Sequence, residues 1–94
     1  MPHIITKMYN LELRESVDRI FKKLAKKDKI SFEYINKKTQ EIRENPYHFK
    51  PLKVPMQNYR RVHIGSFVLV YSINETSKTI IIERYKHHDE IYKI

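Results

Sequence analysis

Residues 59–74 read Tyr59-Arg60-Arg61-Val62-His63-Ile64-Gly65-Ser66-Phe67-Val68-Leu69-Val70-Tyr71-Ser72-Ile73-Asn74, and this stretch decides the fold. Before the glycine the side chains alternate: Val62 and Ile64 share one side, while Tyr59, Arg61 and His63 share the other. That period of two belongs to a half-buried strand. Gly65-Ser66 is a two-residue hairpin turn, and it holds the one glycine of the chain. Phe67 to Ile73 is apolar on both faces, as a central strand requires. Closing the hairpin there sets Ile64 opposite Phe67, His63 opposite Val68 and Arg61 opposite Val70. One sheet face then carries Arg61 and His63 beside two valines.

Downstream, Asn74-Glu75-Thr76-Ser77 turns the chain and Thr79 to Lys86 forms another strand. In it Arg84 and Lys86 share parity with Ile80 and Ile82, and His88 follows if extension continues; residues 87–94 form a helical turn or a tail. Upstream of Pro51 the period is 3.6. Asp28 caps a helix whose apolar stripe is Phe32, Ile35, Thr39 and Ile42, and Asn45-Pro46 ends it. Leu13, Val17, Ile20, Phe21 and Leu24 mark an earlier helix over about 11–27, with Asn10 as its N-cap. His3 to Tyr9 is β-branched and aromatic enough for a first strand. The expected fold is α+β: an N-terminal strand, an antiparallel two-helix hairpin, then a mostly antiparallel sheet of about four strands with the helices on one face. Ninety-four residues accommodate one core, so residues 1–94 are expected to be one domain.

Composition narrows the function. With no cysteine, disulfides, thiolate metal sites and a cysteine nucleophile are all excluded. No apolar run is long enough for a membrane span, so a cytoplasmic location and no membrane partner are expected. Nineteen Lys and Arg against eleven Asp and Glu leave a net charge of +8, which calls for a polyanionic partner. The charge is also placed: from Asn45 through Asn74 there is no acid, while Lys50, Lys53, Arg60, Arg61, His48 and His63 lie inside that window. A basic trough on a sheet face suits a nucleic-acid backbone, with Tyr59, Tyr85 or Tyr92 available to stack on a base.

Three stretches, NPYHFKPLK (45–53), YRRVHIGSFVLVYSI (59–73) and IIIERYKHHDEIYKI (80–94), carry a further signal. A helix-ending Asn-Pro, a downstream Leu-Lys, a basic strand closing in Gly, an apolar strand ending in Tyr and a terminal basic-x-x-x-Tyr follow one another behind two helices. In that order and spacing the chain resembles the RelE/ParE superfamily of toxins from type II toxin–antitoxin systems. The resemblance implies either ribosome-dependent endonucleolytic cleavage of messenger RNA, as in RelE-type members, or inhibition of DNA gyrase, as in ParE-type members. It implies a cognate antitoxin as partner and, for the first activity, mRNA and the ribosome. Arg61 and His63 match the two basic positions before the glycine, His88 the terminal basic position and Tyr92 the terminal tyrosine. One match fails: where the family commonly has an arginine three residues after the glycine, this chain has Val68.

Cutting RNA without a metal takes a base for the 2′-hydroxyl, an acid for the 5′-oxygen and positive charge on the phosphorane. Imidazole serves as either base or acid near neutral pH. The candidate set is His63 as base, His88 or His87 as acid and Arg61 as phosphate clamp, with Lys50, Lys53, Arg60, Arg84 and Lys86 holding backbone. Tyr92 either positions a base or packs the tail onto the core. Arg60 and Arg61 point to opposite faces, so only Arg61 is assigned to the trough, and only one of His87 and His88 can face it from an extended strand. The acid-poor strands lack the paired carboxylates of a metal nuclease, so neither metal nor cofactor is expected. Val68 implies weak cleavage, or else a gyrase inhibitor or a non-cleaving member that binds RNA or a partner.

Overall fold

The computed structural model describes residues 8–91. Its elements are β1 (Asn10–Leu13), α1 (Glu15–Lys27), α2 (Lys29–Glu44), β2 (Tyr59–Ile64), β3 (Phe67–Asn74), β4 (Thr79–His87) and α3 (His88–Ile91). They form one sheet in the order β1-β4-β3-β2. β2–β3 and β3–β4 are antiparallel and β1 runs parallel to β4. The α+β architecture expected from the sequence is the one found.

The helix pair turns on one residue. The Asp28 amide donates to the Leu24 carbonyl at 2.8 Å, ending α1, and its carboxylate accepts from the Ser31 amide at 3.1 Å and the Ser31 hydroxyl at 2.7 Å, starting α2. Those two bonds hold the Asp28 carboxyl below its ordinary value. α2 stops at Glu44, before Asn45-Pro46. Val17 and Phe21 from α1 and Ile35 and Ile42 from α2 pack on one sheet face against Val62, Ile64, Leu69, Tyr71, Ile80, Ile82 and Tyr85. Buried Tyr71 donates its hydroxyl to the Pro46 carbonyl at 2.6 Å, which fastens the end of α2 to the central strand. Burial pushes that phenol up to about 12.

The hairpin has the expected register, Ile64 opposite Phe67, His63 opposite Val68 and Arg61 opposite Val70. Gly65 takes φ of 61°, the left-handed conformation that the tight turn needs and that a side chain would strain.

The chain's opening differs from expectation. Most of the strand expected at 3–9 lies outside the described residues, and within them the strand is Asn10–Leu13. Asn10 is therefore not a helix cap. Its amide donates to the Lys78 carbonyl at 2.8 Å and it pairs with Thr79. Leu11 and Leu13 are half-buried while Asn10 and Glu12 are exposed, a period of two. Leu13 lies four residues before Val17 and so fits a helical stripe equally well; the open edge of β4 decides for the strand. The helix starts after Arg14, whose backbone is still extended.

Candidate nucleic-acid interface

The sheet face turned away from the helices carries two cross-strand rows. In one, Val70 has Arg61 on its β2 side and Arg84 on its β4 side; in the next, Val68 has His63 and Lys86. Successive residues on one face of a strand stand ~7 Å apart, and strands two places apart ~9–10 Å. The basic groups thus frame an aliphatic floor of Val68 and Val70, which packs with Leu52 and Tyr59 as a small cluster separate from the main core.

A β-bulge makes this arrangement. Val70 pairs with Arg84 but Tyr71 pairs with Ile82, so Glu83 is an extra residue in β4. Counting by two places Arg84 and Lys86 on the side of Ile80 and Ile82. The bulge reverses that parity: Ile80 and Ile82 stay in the core, while Arg84 and Lys86 emerge beside Val70 and Val68. Arg84 and Lys86 thus do not share the face of Ile80 and Ile82 as simple alternation expects, and the bulge is what brings all four basic groups to one face.

The β2 side of the trough is extended by the segment between α2 and β2. Pro51 bridges to Arg60, the Leu52 amide donates to the Tyr59 carbonyl at 2.8 Å and the Arg61 amide to the Lys50 carbonyl at 3.2 Å. Lys50, Lys53 and Met56 are thereby brought over Tyr59, Arg61, Val68, Val70, Glu83 and Arg84, and together they line a cavity of about 680 Å³. Its lining has four cations to one carboxylate around an apolar bed, a net positive charge that suits an anion.

The carboxylate is Glu83, which the sequence reading missed. Its side chain is only 15% exposed and is paired with Arg14, Nε to Oε1 at 2.8 Å, while the Ser72 hydroxyl donates to Oε2 at 2.6 Å. Burial pushes the Glu83 carboxyl up, but the bonds from Arg14 and Ser72 and the charges of Arg14 and Arg84 outweigh it and leave it below its ordinary value. Two charged residues side by side in an apolar strand, Glu83-Arg84, were the available signal of a bulge. Because the folded value lies below the unfolded one, the stabilisation is complete above the ordinary glutamate value of about 4.3 and is lost as pH falls through the folded one. Asp28 and Glu75 act in the same sense. Glu83→Gln is expected to lower stability near neutral pH by roughly 1.5–3 kcal/mol, the worth of hydrogen bonds to a charged group. It should also flatten the acid limb of a urea-unfolding series across pH; an acid limb identical to wild type would refute the role given to Glu83.

The other candidates divide. Arg61, Lys50, Lys53 and Arg84 meet at the cavity; His63 and Lys86 stand exposed in the adjoining row. Arg60 faces the helix side, as its alternation with Arg61 implies, donating from Nη1 to the Phe49 carbonyl at 2.6 Å and lying 5.1 Å over the Tyr47 ring, so it is not placed to hold backbone in the trough. His87 also leaves it, its ring 5.7 Å from Phe67, which stacks on Tyr85. Tyr85 is itself a core residue, 5.5 Å from Phe21, and is not available to stack on a base. His88 begins α3 at the corner beside the hairpin turn, its amide donating to the Ser66 carbonyl at 3.0 Å. Tyr92 lies outside the described residues.

Residues 9–92 match the family described as ParE toxin of type II toxin–antitoxin system, parDE. The chain belongs to that family. It is 47% identical over 87 residues to "Putative toxin RelE4" of Methanocaldococcus jannaschii, covering 92% of this chain and 93% of that one. Among solved structures it resembles the YoeB/ParE toxin from Agrobacterium tumefaciens, with a TM-score of 0.74, 18% identity and 84% and 98% of the two chains covered. It likewise resembles the archaeal RelE–RelB complex from Pyrococcus horikoshii, with a TM-score of 0.66, 18% identity and 88% and 98% covered. At those identities the structural likeness speaks for the fold. The RelE/ParE resemblance drawn from residues 45–94 therefore holds, and this ParE-family chain is a type II toxin. Among its described residues no helix is long and apolar enough to cross a membrane.

Proposed function

We propose that this toxin cuts messenger RNA on the ribosome, with the open sheet face as the RNA site. The observation that carries the reading is the pair of rows Arg61–Val70–Arg84 and His63–Val68–Lys86, opening at one end into the cation-lined cavity. Arg61 and Arg84 hold the scissile phosphate from opposite sides and offset the charge that builds on the phosphorane. His63 takes the 2′-hydroxyl proton. His88, beside the turn that ends the strand carrying His63, gives a proton to the 5′-oxygen. Lys50 and Lys53 hold flanking backbone and Tyr92 positions a base. The protein does this in the cytoplasm, without a cofactor, and is restrained by a cognate antitoxin; the RelE–RelB complex among the similar structures supports such a partner.

A second reading has its own support. The matching family is that of the ParE toxin, and Val68 removes a positive charge that the resemblance implies at the cleavage site; both favour a non-cleaving gyrase inhibitor on the same fold. One experiment separates the two. The purified chain is added to ribosomes programmed with a defined message and, in parallel, to a gyrase supercoiling assay. The nuclease reading expects cuts in ribosome-bound message, none in free message and unchanged supercoiling; blocked supercoiling with intact message overturns it in favour of the second.

A further inference from the structure

His87, His88 and Asp89 follow one another where β4 passes into α3, and each offers one donor atom to a common space, all within 4.8 Å of one another. His88 Nε2 lies 3.0 Å from Asp89 Oδ1, and His87 Nδ1 lies 3.5 Å from Asp89 Oδ2. A tetrahedral divalent ion with bonds of ~2.0–2.1 Å holds neighbouring donors about 3.3 Å apart. The two separations, one to each oxygen of the Asp89 carboxylate, lie close to that value.

The ring orientations fit as well. His88 Nδ1 is 3.3 Å from the Ser66 carbonyl oxygen, an acceptor, so Nδ1 carries hydrogen, and Nε2, 3.0 Å from the Asp89 carboxylate, is the nitrogen at which an ion takes the place of a proton. A ligating histidine is commonly oriented through its other ring nitrogen by a backbone carbonyl in this way. In His87 the Asp89 amide donates to Nδ1 at 3.3 Å, so that nitrogen carries no hydrogen, and an ion there displaces this long contact. Two imidazole nitrogens and one carboxylate therefore lie within reach of a single ion. The side chains are 40%, 51% and 66% exposed, so an ion enters directly and water completes its shell.

We propose that His87, His88 and Asp89 form a surface site for a borderline-soft divalent cation of the Zn²⁺, Ni²⁺ or Cu²⁺ kind. Two imidazoles with a single carboxylate suit those ions, whereas Mg²⁺ and Ca²⁺ need more oxygen ligands than the cluster holds. Binding stands on this geometry alone. Its consequence, inhibition of RNA cleavage because the ion occupies His88, rests on the nuclease reading above.

The test is isothermal titration of the full chain, free of any histidine tag, with ZnCl₂ and separately with MgCl₂. One Zn²⁺ per chain and no Mg²⁺ heat are expected. His88→Ala and Asp89→Asn should each weaken Zn²⁺ binding by about 10–100-fold, while His48→Ala, in the loop after α2, leaves it unchanged. Circular dichroism shows whether each variant is folded, and Asp89→Asn is the milder change if His88→Ala is not. Absence of Zn²⁺ binding, or equal affinity in wild type and Asp89→Asn, overturns the site, and so does a comparable loss in His48→Ala. Zn²⁺ bound as expected by a chain that never cuts message leaves the site standing and defeats the nuclease reading.

Discussion

His63→Ala is expected to reduce cleavage of ribosome-bound message by about 10²–10⁴, the range for removing a positioned general base. The side chain is exposed on β2, opposite Val68 and across from Lys86, so its loss should leave the fold within about 0.5 kcal/mol of wild type. A fall in rate without a fall in stability is what separates a reacting group from a packing one. His88→Ala should be similarly damaging. His87→Ala should matter little, because that ring sits with Phe67 on the helix side of the sheet. Lys22→Ala, on the exposed side of α1, is the charge control and should leave the rate where it is. Single-turnover cleavage on programmed ribosomes with urea unfolding of each variant provides both numbers. Full activity in His63→Ala would remove the proton-acceptor role from this residue.

Val68→Arg should move the rate in the opposite direction. The trough floor between His63 and Lys86 carries an isopropyl group at the position where the RelE/ParE resemblance implies a guanidinium. Restoring one preorganised donor at a developing phosphorane is worth on the order of 10²–10³ in rate. Val68 is fully buried, so the longer side chain must displace its neighbours, at a cost of about 1–3 kcal/mol in stability. It lines the cavity of about 680 Å³, which leaves room for the guanidinium to emerge above the floor. The expected variant is therefore a faster nuclease with a lower unfolding midpoint. A stable Val68→Arg protein that cuts no faster would mean that the phosphate lies elsewhere. Absence of cleavage by every variant, together with blocked supercoiling, would favour the gyrase reading.

What could be read from the chain alone was whatever rests on neighbours in sequence. A two-residue turn with its one glycine in the left-handed region leaves the hairpin one register, so Arg61 and His63 could be placed beside Val70 and Val68 before any coordinates. Asp28 and Asn45-Pro46 bound α2 through contacts three or four residues away. The family was legible for the same reason, since its motifs are local and ordered. Tertiary structure decided what depends on partners far along the chain. β1 exists because the edge of β4 offers its hydrogen bonds, and Leu13 by itself fits either period. The bulge at Glu83 is held by Arg14, 69 residues away, and by Ser72, and it alone turns Arg84 and Lys86 into the trough. Arg60 is drawn to the Phe49 carbonyl and the Tyr47 ring, and His87 to Phe67, by pairings that no periodicity records. Local geometry is written in the dihedral preferences of consecutive residues. Which face a charged side chain finally takes is settled only when distant groups compete to satisfy it.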